Sequence, residues 1–326
     1  MRILSGVQPS GKLHLGNYFG AIKQHVELQQ PADNECYYFI ADYHALTTLH
    51  DAKALAENVR DVAIAYLSLG LDPEKTVFYR QSDVPEVQEL AWMLASVTGM
   101  GLLERAHSYK DKVARGITPR VGLFYYPTLM AADILMVDAD VVPVGQDQVQ
   151  HVEMTQDMAQ SFNAAFGSEA LRRPEWRLSA TPKVPGTDGE KMSKSYGNTI
   201  EIFAAGKPLK KSVMGVVTQP IDLGQPMPVE GDNVLALYRL FASDEDVKEM
   251  EQAYRDGSIG YGDAKKKLLA LVDETFASAR EKREELLAHP DTVDDILCEG
   301  ARKAREVAHA TLARCREAVG LRGRPA

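Results

Sequence analysis

The chain has 326 residues, 45% hydrophobic and 25% charged, with 24 glycines and 16 prolines, a composition that excludes a disordered or collagen-like protein. At roughly 100 to 200 residues per domain, this length makes one large domain or two, with a core that needs neither disulfide nor metal. Thirty-seven basic against 46 acidic residues leave a net charge of −9, which argues against a protein that coats nucleic acid through a global positive field.

The most apolar stretch, Leu129 to Val144, is interrupted by Asp133, Asp138 and Asp140, so no membrane span of about 18 apolar residues is expected. The segment Met1 to Gly6 lacks the apolar core of a signal peptide, and a soluble, cytoplasmic protein is the expectation. Cys36, Cys298 and Cys315 are odd in number and have neither metal-site nor redox-pair spacing, so they read as reduced and structural, with no zinc and no iron–sulfur cluster.

In chain order, Arg2 to Val7 reads as a strand and Gln8 to Lys12 as a turn; Leu15, Tyr18, Phe19, Ile22 and Val26 then share one helix face. Cys36 to Ala41 is a buried strand, Asp51 caps a helix with Leu55, Val59, Val62, Ala63, Tyr66 and Leu67 inward, and Thr76 to Arg80 is a third strand. A helix over Pro85 to Val97 follows, then a strand over Asp140 to Val144 and a helix from about Asp147. Four strand-to-helix steps predict a doubly wound, parallel-sheet α/β domain of Rossmann type. Prolines and glycines make Pro174 to Asn198 a long loop, and loops of that length are functional or join domains. Beyond it, Asp232 to Phe241, Asp244 to Tyr254, Asp263 to Leu287 and Asp291 to Val319 carry helical periodicity. Arg314, Arg316, Arg322 and Arg324 form a local basic run, which fits a polyanion contact and a solvated helix end equally.

Two constellations carry chemistry. In the first, Gln8-Pro9-Ser10-Gly11-Lys12-Leu13-His14-Leu15-Gly16-Asn17, a glycine turn opens onto a helix N-terminus and presents backbone N–H groups to a phosphate. Read alone, His14 and Asn17 serve equally as capping groups. The second, Lys191-Met192-Ser193-Lys194-Ser195, places two lysines and two hydroxyls on a loop that can meet a polyphosphate, or else forms a solvated linker. That pentapeptide arises by chance in roughly one chain in 10⁴ at ordinary residue usage.

Together, His14-Leu15-Gly16-Asn17 and Lys191 to Ser195 resemble the two signature motifs of class I aminoacyl-tRNA synthetases, in the family's order. Gly6 to Gly11, Met130-Ala131-Ala132-Asp133-Ile134-Leu135 and Val142-Pro143-Val144-Gly145-Gln146-Asp147-Gln148 with His151 narrow the resemblance, over nearly the whole chain, to the bacterial tryptophanyl-tRNA synthetases. That family forms tryptophanyl-adenylate from L-tryptophan and ATP, then passes the acyl group to the 2′-hydroxyl of tRNA(Trp).

The resemblance implies a catalytic domain of HUP type over residues 1–185, and a helical anticodon-recognition domain over 186–292 that includes the mobile loop 191–195. The last helix, about 293–326, packs back on the first domain. It implies ATP contacts at Gln8, Pro9, Ser10, Gly16, Asn17, Gly145, Gln146, Asp147, Val184, Lys191, Met192, Ser193, Lys194 and Ser195, with His14 beside them. Many members carry an acid where Gln146 stands, which favours backbone contacts there, and the text around Val184 departs from other branches. Tryptophan contacts fall on Asp133, Tyr126, Met130, Gln148, His44, Leu4, Gly6, Ile134, Val142 and Val144, with Asp133 accepting from the indole N–H and otherwise left without a partner. For Leu4, Ile134, Val142 and Val144 core packing holds at the same time, and without the resemblance Asp133 reads as a solvated carboxylate. Lys110 and Lys112 match a family lysine pair, Lys112 being the phosphate contact, in a segment that also fits a solvated loop. Lys191, Lys194, Lys112, His14 and Asn17 form the catalytic set, Mg²⁺ travels on the ATP phosphates with no dedicated metal cage, and a homodimer is inherited. Tyrosyl-tRNA synthetase and a non-catalytic, RNA-binding relative are the competing readings.

Overall fold

The structure, a computed structural model, describes residues 1–106, 109, 114, 116, 118–178 and 184–321. Five parallel strands, β1 (Arg2–Val7), β2 (Glu35–Ile40), β3 (Thr76–Arg80), β4 (Val141–Val144) and β5 (Glu175–Leu178), lie in the order β3-β2-β1-β4-β5. Between them run α1 (Leu15–Asn17), a π turn (Tyr18–Ile22), α2 (Lys23–Leu28), α3 (Asp42–Ala45), α4 (Ala52–Ser68), α5 (Glu86–Val97), α6 (Met100–Glu104), α7 (Val121–Met136) and α8 (Val149–Phe166). After the second motif come α9 (Gly206–Met214), α10 (Asn233–Tyr238), α11 (Asp244–Asp256), α12 (Tyr261–Thr275), α13 (Ala277–Ala288) and α14 (Pro290–Ala318). A doubly wound sheet followed by helices is the expected class of fold.

The period-two side-chain alternation of the strands feeds two cores, one on each face of the sheet. Ile3, Cys36, Tyr38, Ile40 and Phe78 join a core that continues into the helical region through Leu209, Leu237, Leu268 and Phe276. Leu4, Tyr37, Phe39, Tyr79, Val142 and Val144 face the other way, against α5, α7 and α8. Helix α14 crosses the β3 edge of the sheet and contributes to both cores, Val293 and Leu297 to the first and Ala304, Ala308 and Leu312 to the second. The crossing needs Gly300: a Cβ there would stand 1.9 Å from the carbonyl oxygen of Phe78.

Several boundaries differ from expectation for local physical reasons. The run Glu175–Leu178, read as loop, is the fifth strand; it pairs with β4 at the sheet edge with all four residues exposed, and its short alternation of Trp176 and Leu178 with charged residues sits beside breaking prolines. The predicted helix from Asp263 to Leu287 breaks at Phe276, which leaves helical geometry and packs its ring edge-on to Tyr18 and Phe241. Helix α9, absent from the predicted elements, carries Gly206 and Pro208 in its first turn, where a proline costs no hydrogen bond. Asp51 does cap α4, accepting from the Ala54 N–H at 3.0 Å. Two of the basic-run arginines are spent inside the molecule: Arg314 pairs with Asp138 and Arg316 with Glu89, while Arg322 and Arg324 lie outside the described residues.

Candidate functional site

Strand order reverses between β1 and β4, and the crevice at their carboxyl ends is where open α/β sheets bind ligands. A cavity of about 420 Å³ opens there. Its walls bring together the residues expected to hold the amino acid: Leu4 and Gly6 from β1, His44 from α3, Tyr126, Met130, Asp133 and Ile134 from α7, Val142 and Val144 from β4, and Gln148 beyond it. Gln8 and Gly145 border the same space from the nucleotide side, and Gly20 and Ala21 of the π turn cover it. A Cβ at Gly6 would stand 2.5 Å from the tip of the Phe39 ring, so any larger residue there would have to displace that ring.

Asp133 is 5% exposed on a helix that is apolar on every side, and burial pushes its carboxyl above the usual carboxylate range. It is not left unpartnered, contrary to expectation. Gln81 Nε2 donates to both Asp133 oxygens at 2.8 Å, and His44 Nε2 stands 2.9 Å from Oδ2. These bonds oppose the burial effect, as donors favour the ionised form. On the same helix, Tyr126 Oη lies 2.7 Å from His151 Nε2. Gln81 was missed from sequence; the available signal was a polar residue directly after a parallel strand, at the crevice end of the sheet.

The first motif turns at Gly11, whose φ of +83° suits glycine, and reaches α1. The Asn17 side chain accepts from the His14 N–H at 3.0 Å, so Asn17 does serve as a cap, while His14 holds the N-cap position through its backbone. His14 is buried, its pKa pushed down to about 4 by burial and by the charge of Lys194, which leaves the ring neutral. Gly16 lies under that ring: a Cβ would meet its atoms at 2.9 Å. Pro9 is buried and Ser10 exposed on the turn.

The second motif is more ordered than a linker. The Met192 N–H donates to the Val184 carbonyl, Pro185 bridges Lys191, and the Ser193 N–H donates to Asn198 Oδ1. Asn198, 2% exposed, also donates to Asp188 and to the Lys191 carbonyl, holding the loop from within. Met192 and Val184 anchor in the core, Ser193 and Ser195 join hydroxyls at 2.9 Å, and Lys191 stays exposed. Immediately beyond, the Leu15 N–H donates to Ile200 and the Ile202 N–H to Leu13, so the two motifs share a backbone seam. Loss of solvent pushes Lys194 below its usual value, with Asp61 and Glu201 opposing.

Gln146 and Asp147 sit exposed on a 3-10 turn after β4, where Asp147 folds back so closely that a Cβ on Gly145 would be 2.8 Å from its Oδ1. Lys110 and Lys112 lie outside the described residues.

The family model for class I tRNA synthetases (W and Y) matches residues 1–277. A tryptophan-tRNA ligase of Rhodopirellula baltica is 51% identical over 322 residues, spanning 99% of this chain and 100% of the relative. One from Fusobacterium nucleatum is 51% identical over 323 residues, spanning 99% and 98%. Among solved structures, a tryptophanyl-tRNA synthetase from Campylobacter jejuni, complexed with ADP and tryptophan, matches with a TM-score of 0.93 at 49% identity, over 98% of this chain and 100% of that one. With its switch-point cavity and paired motifs, and with relatives of such identity along their whole length, the chain belongs to the class I tRNA synthetases of the tryptophan and tyrosine branch.

Proposed function

We propose that the chain activates L-tryptophan with ATP and transfers it to tRNA(Trp). The observation that carries this reading is the cavity: its volume falls in the range of about 300 to 1,000 Å³ usual for small-molecule sites, and one buried carboxylate, Asp133, stands in its largely apolar wall. An indole offers one polar group, an N–H donor, and a carboxylate only accepts, so the pairing is complementary. High identity to tryptophan-tRNA ligases, and the Campylobacter relative's complex with ADP and tryptophan, support the same substrates.

In the activation step the tryptophan carboxylate attacks the α-phosphorus of ATP. The new O–P bond forms as the bond to the bridging oxygen breaks, and its electron pair leaves with pyrophosphate. The nucleophile is already ionised, so positioning and charge stabilisation carry the rate and no general base is needed. Gln8, Pro9, Ser10, Gly16 and Asn17 hold the phosphate side, Gly145, Gln146 and Asp147 the ribose and adenine side, and Val184 with Met192 supports the loop. Lys191 and Lys194, with Ser193 and Ser195, meet charge building on the pyrophosphate, joined by Lys112, with the neutral ring of His14 beside them at the helix start. In this reading Mg²⁺ enters with the ATP phosphates, as part of the substrate. A ribose hydroxyl of tRNA then attacks the acyl carbon and AMP leaves.

The division into a catalytic region, 1–185, and an anticodon-recognising region, 186–292, belongs to this reading; α14 lying on β3 supports its return to the first. So do the homodimer and a cytoplasmic location. Among the described residues no helix is long and apolar enough to cross a membrane. Amino-acid-dependent ATP–pyrophosphate exchange, with tryptophan and tyrosine side by side, tests the reading. Exchange with tryptophan alone is expected; exchange with tyrosine overturns the pocket assignment, and none with either favours an RNA-binding protein without charging activity.

A further inference from the structure

We propose that Gln81 is a positioning residue for amino-acid selection, holding Asp133 as an ionised acceptor with a single open position, on Oδ1. This rests on the reading of Asp133 as the acceptor of the indole N–H. Gln81 is 1% exposed and stands on the 3-10 turn Gln81–Asp83 that follows β3. Its orientation is set from its far end, where Oε1 accepts the Tyr43 N–H at 3.1 Å, so Nε2 must face Asp133. The turn is itself pinned, since Asp42 Oδ1 accepts the Ser82 N–H at 3.0 Å and Asp42 Oδ2 accepts from the Ser82 hydroxyl. Asp42 and His44 both belong to α3, so α3 and the turn lock together and deliver two donors to one carboxylate on α7.

The acceptor arithmetic follows. A carboxylate offers about four lone-pair positions. His44 and Gln81 fill two on Oδ2, and Gln81 fills one on Oδ1, which leaves one for a ligand. The other titratable groups facing Asp133 are Asp42, whose charge raises its carboxyl, and Tyr79 on β3, whose phenol stays protonated because burial and the Asp133 charge push it up. Without Gln81, a carboxyl this buried keeps its proton to higher pH and becomes a donor. A carboxylic acid can donate to a phenol oxygen or a ring heteroatom, whereas a carboxylate pairs with donors alone. Gln81 thereby selects the N–H of an indole without touching it.

Two variants test this in steady-state pyrophosphate exchange, with thermal melts reporting folding. Gln81→Met keeps the shape and removes the donor; the tryptophan KM is expected to rise about thirtyfold, as for loss of a buried hydrogen bond to a charge, while kcat falls less than about fivefold. Its preference for tryptophan over the analogue bearing sulfur in place of the indole N–H is expected to shrink about tenfold. Gln81→Glu restores a donor only while the introduced carboxyl shares a proton with Asp133, so its tryptophan KM should improve as pH falls, opposite to the wild type. That reversal carries the test even if Gln81→Met folds poorly. Parallel changes in KM and kcat in Gln81→Met, or a Gln81→Glu pH trend matching the wild type, would overturn the proposal. Wild-type protein that exchanges with tyrosine and not tryptophan overturns the functional reading itself, and the Gln81 assignment falls with it.

Discussion

Lys194 Nζ donates to the carbonyl oxygen of Ser10 at 2.6 Å, which ties the second motif to the turn of the first across 184 residues. The ammonium is therefore held over the glycine turn of the first motif, where, on the proposed function, a leaving pyrophosphate would exchange one backbone carbonyl for several charged oxygens. Lys194→Ala is expected to lower the activation kcat by about 10² to 10³ while moving the tryptophan KM less than about threefold, since this charge acts in the transition state. Equal effects on both constants would remove the role.

Asp133→Asn tests the amino-acid end of the cavity. The amide keeps one acceptor oxygen and turns an NH₂ toward the donors of Gln81 and His44, so the trio cannot be satisfied together. A rise of about a hundredfold in the tryptophan KM, with the ATP KM little changed, is the expected result. Exchange assays varying each substrate separately check it.

Acid stability has a definite sign through His25, a fully buried ring stacked on Tyr38 with Nδ1 3.3 Å from Tyr66 Oη. Burial pushes its pKa down from 6.5 to about 4. The folded state therefore binds this proton less readily than the unfolded chain. Stability is full above pH 6.5, declines as pH falls, and has lost on the order of 3 kcal/mol from this group near pH 4, at about 1.4 kcal/mol per unit. Burial moves His14 the same way. Urea unfolding at neutral and acid pH should show the decline, and His25→Phe should flatten it.

Gly300→Ala places a methyl group against the Phe78 carbonyl, backbone on backbone, where no rotamer can relieve the contact. Destabilisation of about 3 kcal/mol is expected, the upper range for overpacking. A matched Ala304→Gly, which removes a buried methyl from the same helix, should cost about 2 kcal/mol, shared between helix propensity and the lost methyl burial. Chemical denaturation of both variants separates steric conflict from propensity.

What was legible in the sequence is what short-range physics writes there. The apolar runs of β1 to β4, the Asp51 cap and the glycine turn at Gly11 each act within a few residues, and each stands where expected. The two motifs could be read because their residue types are rare together. What escaped was set by contacts distant in the chain. Gln81 reaches Asp133 across 52 positions, the exposed β5 exists because β4 offers a pairing edge, and Phe276 breaks its helix to reach Tyr18 and Phe241. Asn198 organises the lysine loop through hydrogen bonds that no periodicity encodes.

Because α14 closes the β3 edge and completes both cores, the order of synthesis has a consequence for how the molecule matures. A ribosome will have released β1 through β4 long before residues 290–318 emerge. Until then the flank of Phe78 and Tyr79 faces solvent, a sticky margin that invites chaperones or a neighbouring nascent chain. The active crevice can thus be shaped early, yet its scaffold becomes self-sufficient only when the late helix threads Gly300 past that strand.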